Sequence, residues 1–287
     1  YAPAKAQRFL REARVTAGLI HPNIVPVYEL GTRVDGALYY TMRLVKGVTL
    51  KEALKRATSL PERLGLLPHF VDVCQAIAFA HSRDVIHRDL KPDNVMLGEF
   101  GETLVLDWGL AKILGEEEQA GASGAPLQSA SGDAVTVETS AQSGLTLDGS
   151  FMGTPAYVSP EQAIGRLGAV DAKSDVWSLG AMLYEILTGR QPFPGRTANE
   201  VLVKVLSEDV RSPKEIEPSV PAELASVCMK ALTRSKEARY ASAKELAREI
   251  EAFRSGGRVL AHEYSAWEHL KRFAAAKKGL IAAALTI

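Results

Sequence analysis

The residues best able to do chemistry stand in two short runs of the chain. Residues 87–94 read His-Arg-Asp-Leu-Lys-Pro-Asp-Asn, and Asp107 opens the triplet Asp-Trp-Gly. Asp89 is a carboxylate that can accept a proton, and Lys91 carries a positive charge that can offset developing negative charge. Asn94 and Asp107 offer the oxygen ligands that Mg²⁺ prefers. Each residue alone also suits an ordinary loop, so the pattern is informative only as a combination.

The two runs need elements that hold them together. Short apolar runs at 94–97 and 103–106 predict a hairpin between them, and runs at 24–30 and 37–45 predict two more strands with a turn at Asp35-Gly36. Helical periodicity predicts helices over 4–19, 62–82, 175–188, 197–208 and 221–233.

Two sequence segments have the spacing of a capping box at a helix start, Thr49–Glu52 and Ser242–Glu245. Ser255-Gly256-Gly257 predicts the end of the domain. The predicted strands are few and lie in the first part of the chain, and helical patterns dominate the rest.

The composition excludes several classes of protein. The chain has 287 residues, with 34 basic and 34 acidic residues, 46% hydrophobic residues and 24% charged residues. These values exclude a disordered chain and a collagen-like chain, and two cysteines exclude a disulfide scaffold. A net charge of zero gives no support for nucleic-acid binding. Cys74 and Cys228 lack metal-ligand spacing and suit a reducing compartment.

The combination of His87–Asn94 with Asp107-Trp108-Gly109 resembles the eukaryotic-like serine/threonine protein kinases of bacteria. The resemblance covers about residues 4–254. It implies the α+β class and a bilobal protein-kinase-like fold in a domain over 1–254, with a partial, small, β-rich N-lobe (1–45) and a complete, mainly helical C-lobe (46–254). It also implies transfer of the γ-phosphate of ATP to Ser or Thr hydroxyls of protein substrates, with Mg²⁺ as cofactor.

The resemblance implies a role for each residue of the two runs. Asp89 would orient the substrate hydroxyl and accept its proton, and Lys91 would approach the γ-phosphate. Asn94 and Asp107 would bind the Mg²⁺ that accompanies ATP. Trp108 stands where the family usually has Phe, and we expect metal binding to be retained.

Asp175 resembles the residue that holds the backbone of the catalytic loop. Because it opens an apolar helical pattern, it could equally be the N-cap of that helix. The two roles do not exclude each other.

A second group of residues would face the nucleotide. Arg8–Ala13 and His21–Val25 resemble the helix of the small lobe and its exit, and Glu12 matches the glutamate that pairs with the ATP-anchoring lysine. Met42 matches the gatekeeper, Arg43–Val45 the hinge, and Met96 the floor of the adenine site. Ordinary strand or core positions are an equal alternative for Met42 and Met96.

The family places its glycine-rich loop and anchoring lysine before this helix, and neither is present in the sequence. We therefore expect an N-terminally truncated domain that catalyses poorly by itself.

Residues 153–161, Gly-Thr-Pro-Ala-Tyr-Val-Ser-Pro-Glu, resemble the end of an activation segment that runs over 107–161. Thr154 would bridge Asp89 and Lys91, a feature associated with Ser/Thr specificity. Glu161 would form a buried, structural ion pair with Arg239. A protein-positioning segment of this kind argues against the alternative of a small-molecule phosphotransferase.

Residues 115–150 are rich in Ser, Thr, Gly and Ala and contain no Lys or Arg, so we expect a mobile insert within the activation segment. Arg88 is placed to bind a phosphate on this segment. Thr146 and Ser150 are the best-placed acceptors, and self-association would allow autophosphorylation in trans.

The end of the chain predicts a membrane anchor. Residues 255–278 form a basic segment with interleaved aromatic residues, and 279–287 carry no charge. This pattern is typical of the cytoplasmic flank and start of a transmembrane helix. We expect a cytoplasmic kinase domain anchored to the inner membrane, with a soluble C-terminal helix as the alternative.

The main alternative function is a pseudokinase, a scaffold that binds partners without catalysis. Intact Asp89, Asn94 and Asp107 argue against it, because a non-catalytic domain has no physical need for all three residues.

Overall fold

The computed structural model describes residues 3–108, 111–113, 155–165 and 167–265; the side chains of 3–8, 11, 12, 112, 113 and 167 are outside the description. The N-terminal part contains helix α1 (Pro3–Gly18) and an antiparallel pair of strands, β1 (Val27–Thr32) and β2 (Leu38–Met42). Gly36 takes a φ of 83° in the turn between them, a conformation that glycine adopts without steric cost.

The predicted strand at 24–30 is only partly correct. Regular pairing starts at Val27, and Ile24 makes a single parallel bridge to Val105. The flanking backbone bonds run from Val25 N to Val105 O and from Val105 N to Asn23 O. They tie the exit of α1 to the hairpin that carries the chemistry-bearing residues.

The remaining strands are short. Strand β3 (Gly47–Thr49) pairs with β5 (Val95–Gly98), which pairs with β6 (Thr103–Val105), and β4 (Val85–Ile86) pairs with β7 (Lys112–Ile113). All of these pairs are antiparallel. The β5–β6 hairpin confirms the predicted one.

The rest of the described chain is helical, which confirms the α+β class. The helices are α2 (Leu50–Arg56), α3 (Leu60–Leu64), α4 (Leu67–His81), α5 (Pro160–Ala163), α6 (Ala172–Thr188), α7 (Ala198–Ser207), α8 (Pro213–Ile216), α9 (Ala222–Ala231) and α10 (Ala243–Arg254).

The prediction of one helix over 62–82 is wrong. The chain forms α3 and α4, separated by Gly65 and Leu66. Pro68 lies in the first turn of α4 and has no N–H to donate to the preceding turn, so it fits the start of a helix but not its interior. Ser59 starts α3 with a full capping box.

Helix starts follow the predicted caps only in part. Thr49 and Glu52 form a complete capping box at α2, as predicted. At α10 the hydroxyl of Ser242 accepts from the N–H of Glu245, but the Glu245 carboxylate accepts from Ala241 instead of Ser242. The predicted second box is therefore only half formed.

Helix α6 is the centre of the helical part. Nearly all of its residues are buried, and it contacts α3, α4, α9 and α10. One hydrophobic core runs from Val15 of α1, and from Leu19 just after that helix, to Val259, which is fully buried. Packing thus continues past residue 254, where the sequence analysis places the end of the domain.

One stretch of the described residues, Leu60–His81, is long and apolar enough to cross a membrane by length and composition. Phe70, Val73 and Ile77 of this stretch are fully buried in the core. Such burial is equally characteristic of the core helix of a soluble protein.

Candidate active site

Three of the predicted residues meet in the loop between β4 and β5. The Nζ atom of Lys91 lies 2.7 Å from Oδ2 of Asp89. The side-chain nitrogen of Asn94 donates to the backbone oxygen of Asp89 at 2.8 Å and to its Oδ2 at 3.3 Å. A short turn over Pro92–Asn94 brings Asn94 back toward Asp89. The loop therefore presents a carboxylate whose position is set by a cation and an amide.

Asp175 of α6 holds the start of this loop. Its Oδ2 accepts from the backbone N–H of His87 and its Oδ1 from that of Arg88, both at 2.9 Å. Nε2 of His81 lies 2.8 Å from Oδ2. Burial by itself raises the pKa of Asp175, but the bond and charge of His81 and the contacts of His87 outweigh it and hold the pKa below its ordinary value.

The N-cap alternative for Asp175 is wrong, because α6 begins three residues earlier than predicted. Asp171 is its N-cap, and the Asp171 side chain accepts from the N–H of Lys173. Asp175 is thereby left with both oxygens directed at the loop.

Two non-glycine residues of the site have left-handed backbones. Arg88 has a φ of 69° and Asp107 a φ of 56°. Such conformations cost L-residues about 1–2 kcal/mol and persist where surrounding contacts enforce them. Residues of this kind concentrate at active sites, and these two stand next to and within the predicted chemical groups.

The base of the hairpin brings Asn94 and Asp107 to the same end of the sheet. The N–H of Leu106 donates to the backbone oxygen of Asn94 at 2.9 Å, so Asp107 directly follows a residue bonded to Asn94. The amide nitrogen of Asn94 faces Asp89, which leaves Oδ1 as its metal-binding end.

The side chains of this pair fit a magnesium ion. Asp107 is exposed, and an amide and a carboxylate oxygen suit an ion that keeps phosphate and water ligands. No cluster of three or more His, Cys, Asp or Glu suited to a metal occurs in the described part of the chain. Mg²⁺ at a nucleotide site does not require such a cluster.

Trp108 packs behind the metal-binding candidates. It is 1% exposed, and its ring lies 4.6 Å from that of His87, centroid to centroid. His87 accepts from the N–H of Asp89 through Nδ1, so its Nε2 carries the proton and donates to the backbone oxygen of Leu106. Within the described residues the buried indole N–H of Trp108 has no acceptor.

The residues expected around the nucleotide lie on different elements. Met42 ends β2 and is half exposed, and the half-buried Val45 lies between β2 and β3. Met96 lies in β5, paired with Thr49 and Leu104.

Arg43 is engaged with neighbouring protein groups. Its N–H donates to the backbone oxygen of Pro26, and its guanidinium forms an ion pair with Glu102 at 3.0 Å. Its own N–H is therefore not available to an adenine ring.

Several predicted residues lie outside the described residues: Thr146, Ser150, Thr154, the insert 115–150 and the segment 266–287. Glu12 lies in α1, but its side chain is not described. The pair of Glu161 and Arg239 is present, with Nη1 of Arg239 2.8 Å from Oε1 of Glu161.

Sequence reasoning missed two residues that support the loop of Asp89: Gln162 contacts it directly, and His81 acts through Asp175. Gln162 donates to the backbone oxygen of Arg88, and His81 contacts Asp175. The available signal was weak: a histidine at the end of an apolar helix, and a glutamine at the third position of a short one.

The chain is similar to known proteins over most of its length. The sequence profile of the protein kinase domain matches residues 2–250. The serine/threonine-protein kinase PknD of Protochlamydia amoebophila is 37% identical over 268 residues, covering 88% of this chain and 26% of that protein. PknD of Chlamydia pneumoniae is 36% identical (88% and 27%), and PknD of Chlamydia trachomatis 34% identical (92% and 29%).

The chain spans about a quarter of the length of these relatives. The match to the protein kinase domain covers most of the chain. The structure has the helical part and the small antiparallel sheets that this fold requires. The chain belongs to the protein kinase family.

Proposed function

We propose that this chain is the catalytic part of a protein serine/threonine kinase, which transfers the γ-phosphate of ATP to Ser or Thr hydroxyls of proteins. The observation that carries the proposal is the meeting of Lys91 and Asn94 on the carboxylate of Asp89. Phosphoryl transfer needs mainly positioning and charge neutralisation, and this loop supplies both.

Each side chain of the site has a separate role in this reaction. Asp89 orients the acceptor hydroxyl and takes its proton, while Lys91, 2.7 Å away, holds the carboxylate in place and offsets charge on the transferred group. Asn94 and Asp107 would hold Mg²⁺. When bound, Mg²⁺ neutralises charge on the phosphates.

The pseudokinase alternative finds no support in the described residues. A scaffold gains nothing from a lysine and an amide converging on one half-buried carboxylate, because such a group costs desolvation energy. Protein rather than small-molecule substrates are favoured by the segment at 155–163. Its Tyr157 contacts α6 and its Gln162 the catalytic loop.

The test is phosphate incorporation from labelled Mg-ATP by the intact protein, with Asp89→Asn as the inactive variant. Asp84→Asn is the matched control, because Asp84 is an exposed loop residue a few positions away. We expect Asp89→Asn to lose at least about 100-fold in rate and Asp84→Asn to keep it. Equal incorporation by both variants would refute the assignment.

Regulation by phosphorylation of residues 136–150 is part of the proposal and rests on the sequence, with Thr146 and Ser150 as the first candidates. Replacing every hydroxyl residue of 136–150 by Ala should lower activity, and replacing Ser123, Ser129 and Ser131 should not. Full activity of the first variant would contradict it. Autophosphorylation in trans, through self-association, predicts that the wild-type protein phosphorylates the Asp89→Asn protein when the two are mixed.

Membrane anchoring is also proposed, from the sequence of residues 266–287. Arg258 and Val259, which precede them, belong to the packed part: Val259 is buried, and the guanidinium of Arg258 lies 5.6 Å from the ring of Tyr264. Replacement of 279–287 by a polar segment should release the intact protein from the membrane fraction. Unchanged partitioning would contradict the proposal.

A further inference from the structure

Gln162 is bonded at both ends of its side-chain amide. It is the third residue of α5, whose N-cap is Ser159. Its Oε1 accepts from the N–H of Ser159 at 3.2 Å and from the hydroxyl of Ser159 at 2.9 Å. These bonds complete a capping box, in which only the oxygen of the third residue is needed.

The other end of the amide reaches the catalytic loop. Nε2 of Gln162 donates to the backbone oxygen of Arg88 at 2.8 Å, across 74 positions of sequence. A glutamate would serve the cap equally well, but it has no N–H for this second bond. The choice of glutamine thus matches a position with two separate partners.

The carbonyl of Arg88 belongs to the peptide unit that enters Asp89. The N–H of that same peptide unit donates to Nδ1 of His87 at 3.3 Å. The N–H of Arg88 is held by Asp175, and Arg88 itself has a φ of 69°. The peptide plane from which the Asp89 side chain projects is therefore fixed on one edge by His87 and on the other by Gln162.

We propose that Gln162 is a positioning residue for Asp89, which couples the segment at 159–163 to the catalytic loop. The inference rests on the proposed kinase function of Asp89. Loss of the Gln162 bond removes a side-chain donor from the Arg88 carbonyl and lets the Arg88–Asp89 peptide rotate more freely. The Asp89 carboxylate then samples a wider range of orientations, so the rate of phosphoryl transfer falls while nucleotide binding is retained.

Two substitutions separate the two ends of the amide. Gln162→Glu keeps an oxygen for the cap of α5 and removes the donor to Arg88. Ser159→Ala removes the hydroxyl of the cap and leaves the Gln162 donor in place. Gln162→Met is neutral and similar in length and removes both ends of the amide, so it shows whether the effect of Gln162→Glu needs the charge that glutamate introduces.

The experiment uses the intact protein and measures kcat and KM for Mg-ATP and a protein substrate, the melting temperature, and hydrogen exchange of the peptide covering 86–95. We expect Gln162→Glu and Gln162→Met to lower kcat about 10- to 100-fold with KM for Mg-ATP changed less than about 3-fold. Exchange in 86–95 should be faster in both. Ser159→Ala should lower the melting temperature and keep kcat within about 3-fold.

Wild-type kcat and wild-type exchange in Gln162→Glu would overturn the inference. Equal kcat losses in Gln162→Glu and Ser159→Ala would also overturn it, since both would then act through the cap alone. If the wild-type protein transfers no phosphate, the proposed function fails instead. The exchange measurement still decides whether Gln162 orders the loop.

Discussion

Arg239 and Glu161 form a paired ion contact in the interior. Nη1 of Arg239 lies 2.8 Å from Oε1 of Glu161, and Nη2 lies 3.0 Å from Oε2. The remaining N–H groups of Arg239 donate to backbone oxygens of Thr233, Lys173 and Arg234. All five donors of the guanidinium thus have acceptors. The contact ties Glu161 of α5 to the loop between α9 and α10.

Removing one partner of this pair should be costly. Burial raises the pKa of Glu161, but bonds from Arg239 and Ser174 outweigh it and keep the pKa below its ordinary value, so the carboxylate is ionised at neutral pH. Glu161→Ala would leave the Arg239 charge buried and unpaired. We expect a loss of about 3–5 kcal/mol in the free energy of unfolding, measured by denaturant titration. Glu208→Ala, a similar change at an exposed residue, is the control, and equal losses would contradict the prediction.

The pKa of Glu185 is shifted in the opposite direction from that of Glu161, so the two carboxyl groups should affect the pH dependence of stability in opposite ways. Its pKa is raised, first by burial and further by the negative charge of Asp93, while the bond from Tyr157 and the charge of Lys51 act against the rise. The folded state therefore favours the protonated carboxyl, and its contribution to stability is lost as pH rises from about 4.3 through the raised pKa.

The substitution Glu185→Gln removes this titration and keeps an oxygen for the Tyr157 hydroxyl. We expect it to be more stable than the wild-type protein at pH 7 and equally stable at pH 4. Free energies of unfolding across this range check it. If the free energies of unfolding of Glu185→Gln and the wild-type protein differ by the same amount at every pH, the prediction is contradicted.

Asp84 offers a stabilising substitution. It is exposed and has a φ of 59° in the turn after α4. A left-handed backbone costs an L-residue about 1–2 kcal/mol, against about 0.5–1 kcal/mol of extra chain entropy for glycine. Asp84→Gly should therefore raise the free energy of unfolding by about 0.5 kcal/mol. Ser82→Gly, at a φ of −68°, should lower it, and a loss of stability in both variants would contradict the argument.

The local parts of the site could be predicted from the sequence. Asp89, Lys91 and Asn94 lie within one loop of six residues, so their convergence requires only a turn at Pro92. The hairpin that carries Asp107 follows from two short apolar runs around a glycine. Chemistry encoded by near neighbours is visible before any tertiary structure is known.

The contacts between distant elements could not be predicted in the same way. Gln162 meets Arg88 only because α5 lies against the catalytic loop, and no periodic pattern marks that approach. The break between α3 and α4 is hidden because apolar spacing continues through Gly65, and Pro68 is the residue that indicates it. The start of α6 is ambiguous in the sequence because Asp171 and Asp175 are both plausible caps, and only their partners distinguish them.

Asp175→Asn should slow catalysis by loosening the loop. The carboxylate accepts the N–H of Arg88 at one oxygen and that of His87 at the other, and an amide can keep only one of these bonds. We expect kcat to fall about 10- to 100-fold, from about 1–3 kcal/mol of lost bonding. Because the pKa of Asp175 is lowered, the ionised carboxylate stabilises the fold above about pH 4, and this stabilisation is lost as the pH falls below about 4. The free energy of unfolding of the Asp175→Asn variant should therefore decrease less steeply in acid than that of the wild-type protein. Asp171→Asn is the matched control on the same helix, since asparagine caps as well as aspartate. Equal kcat values for the two variants would show that Asp175 does not hold the loop.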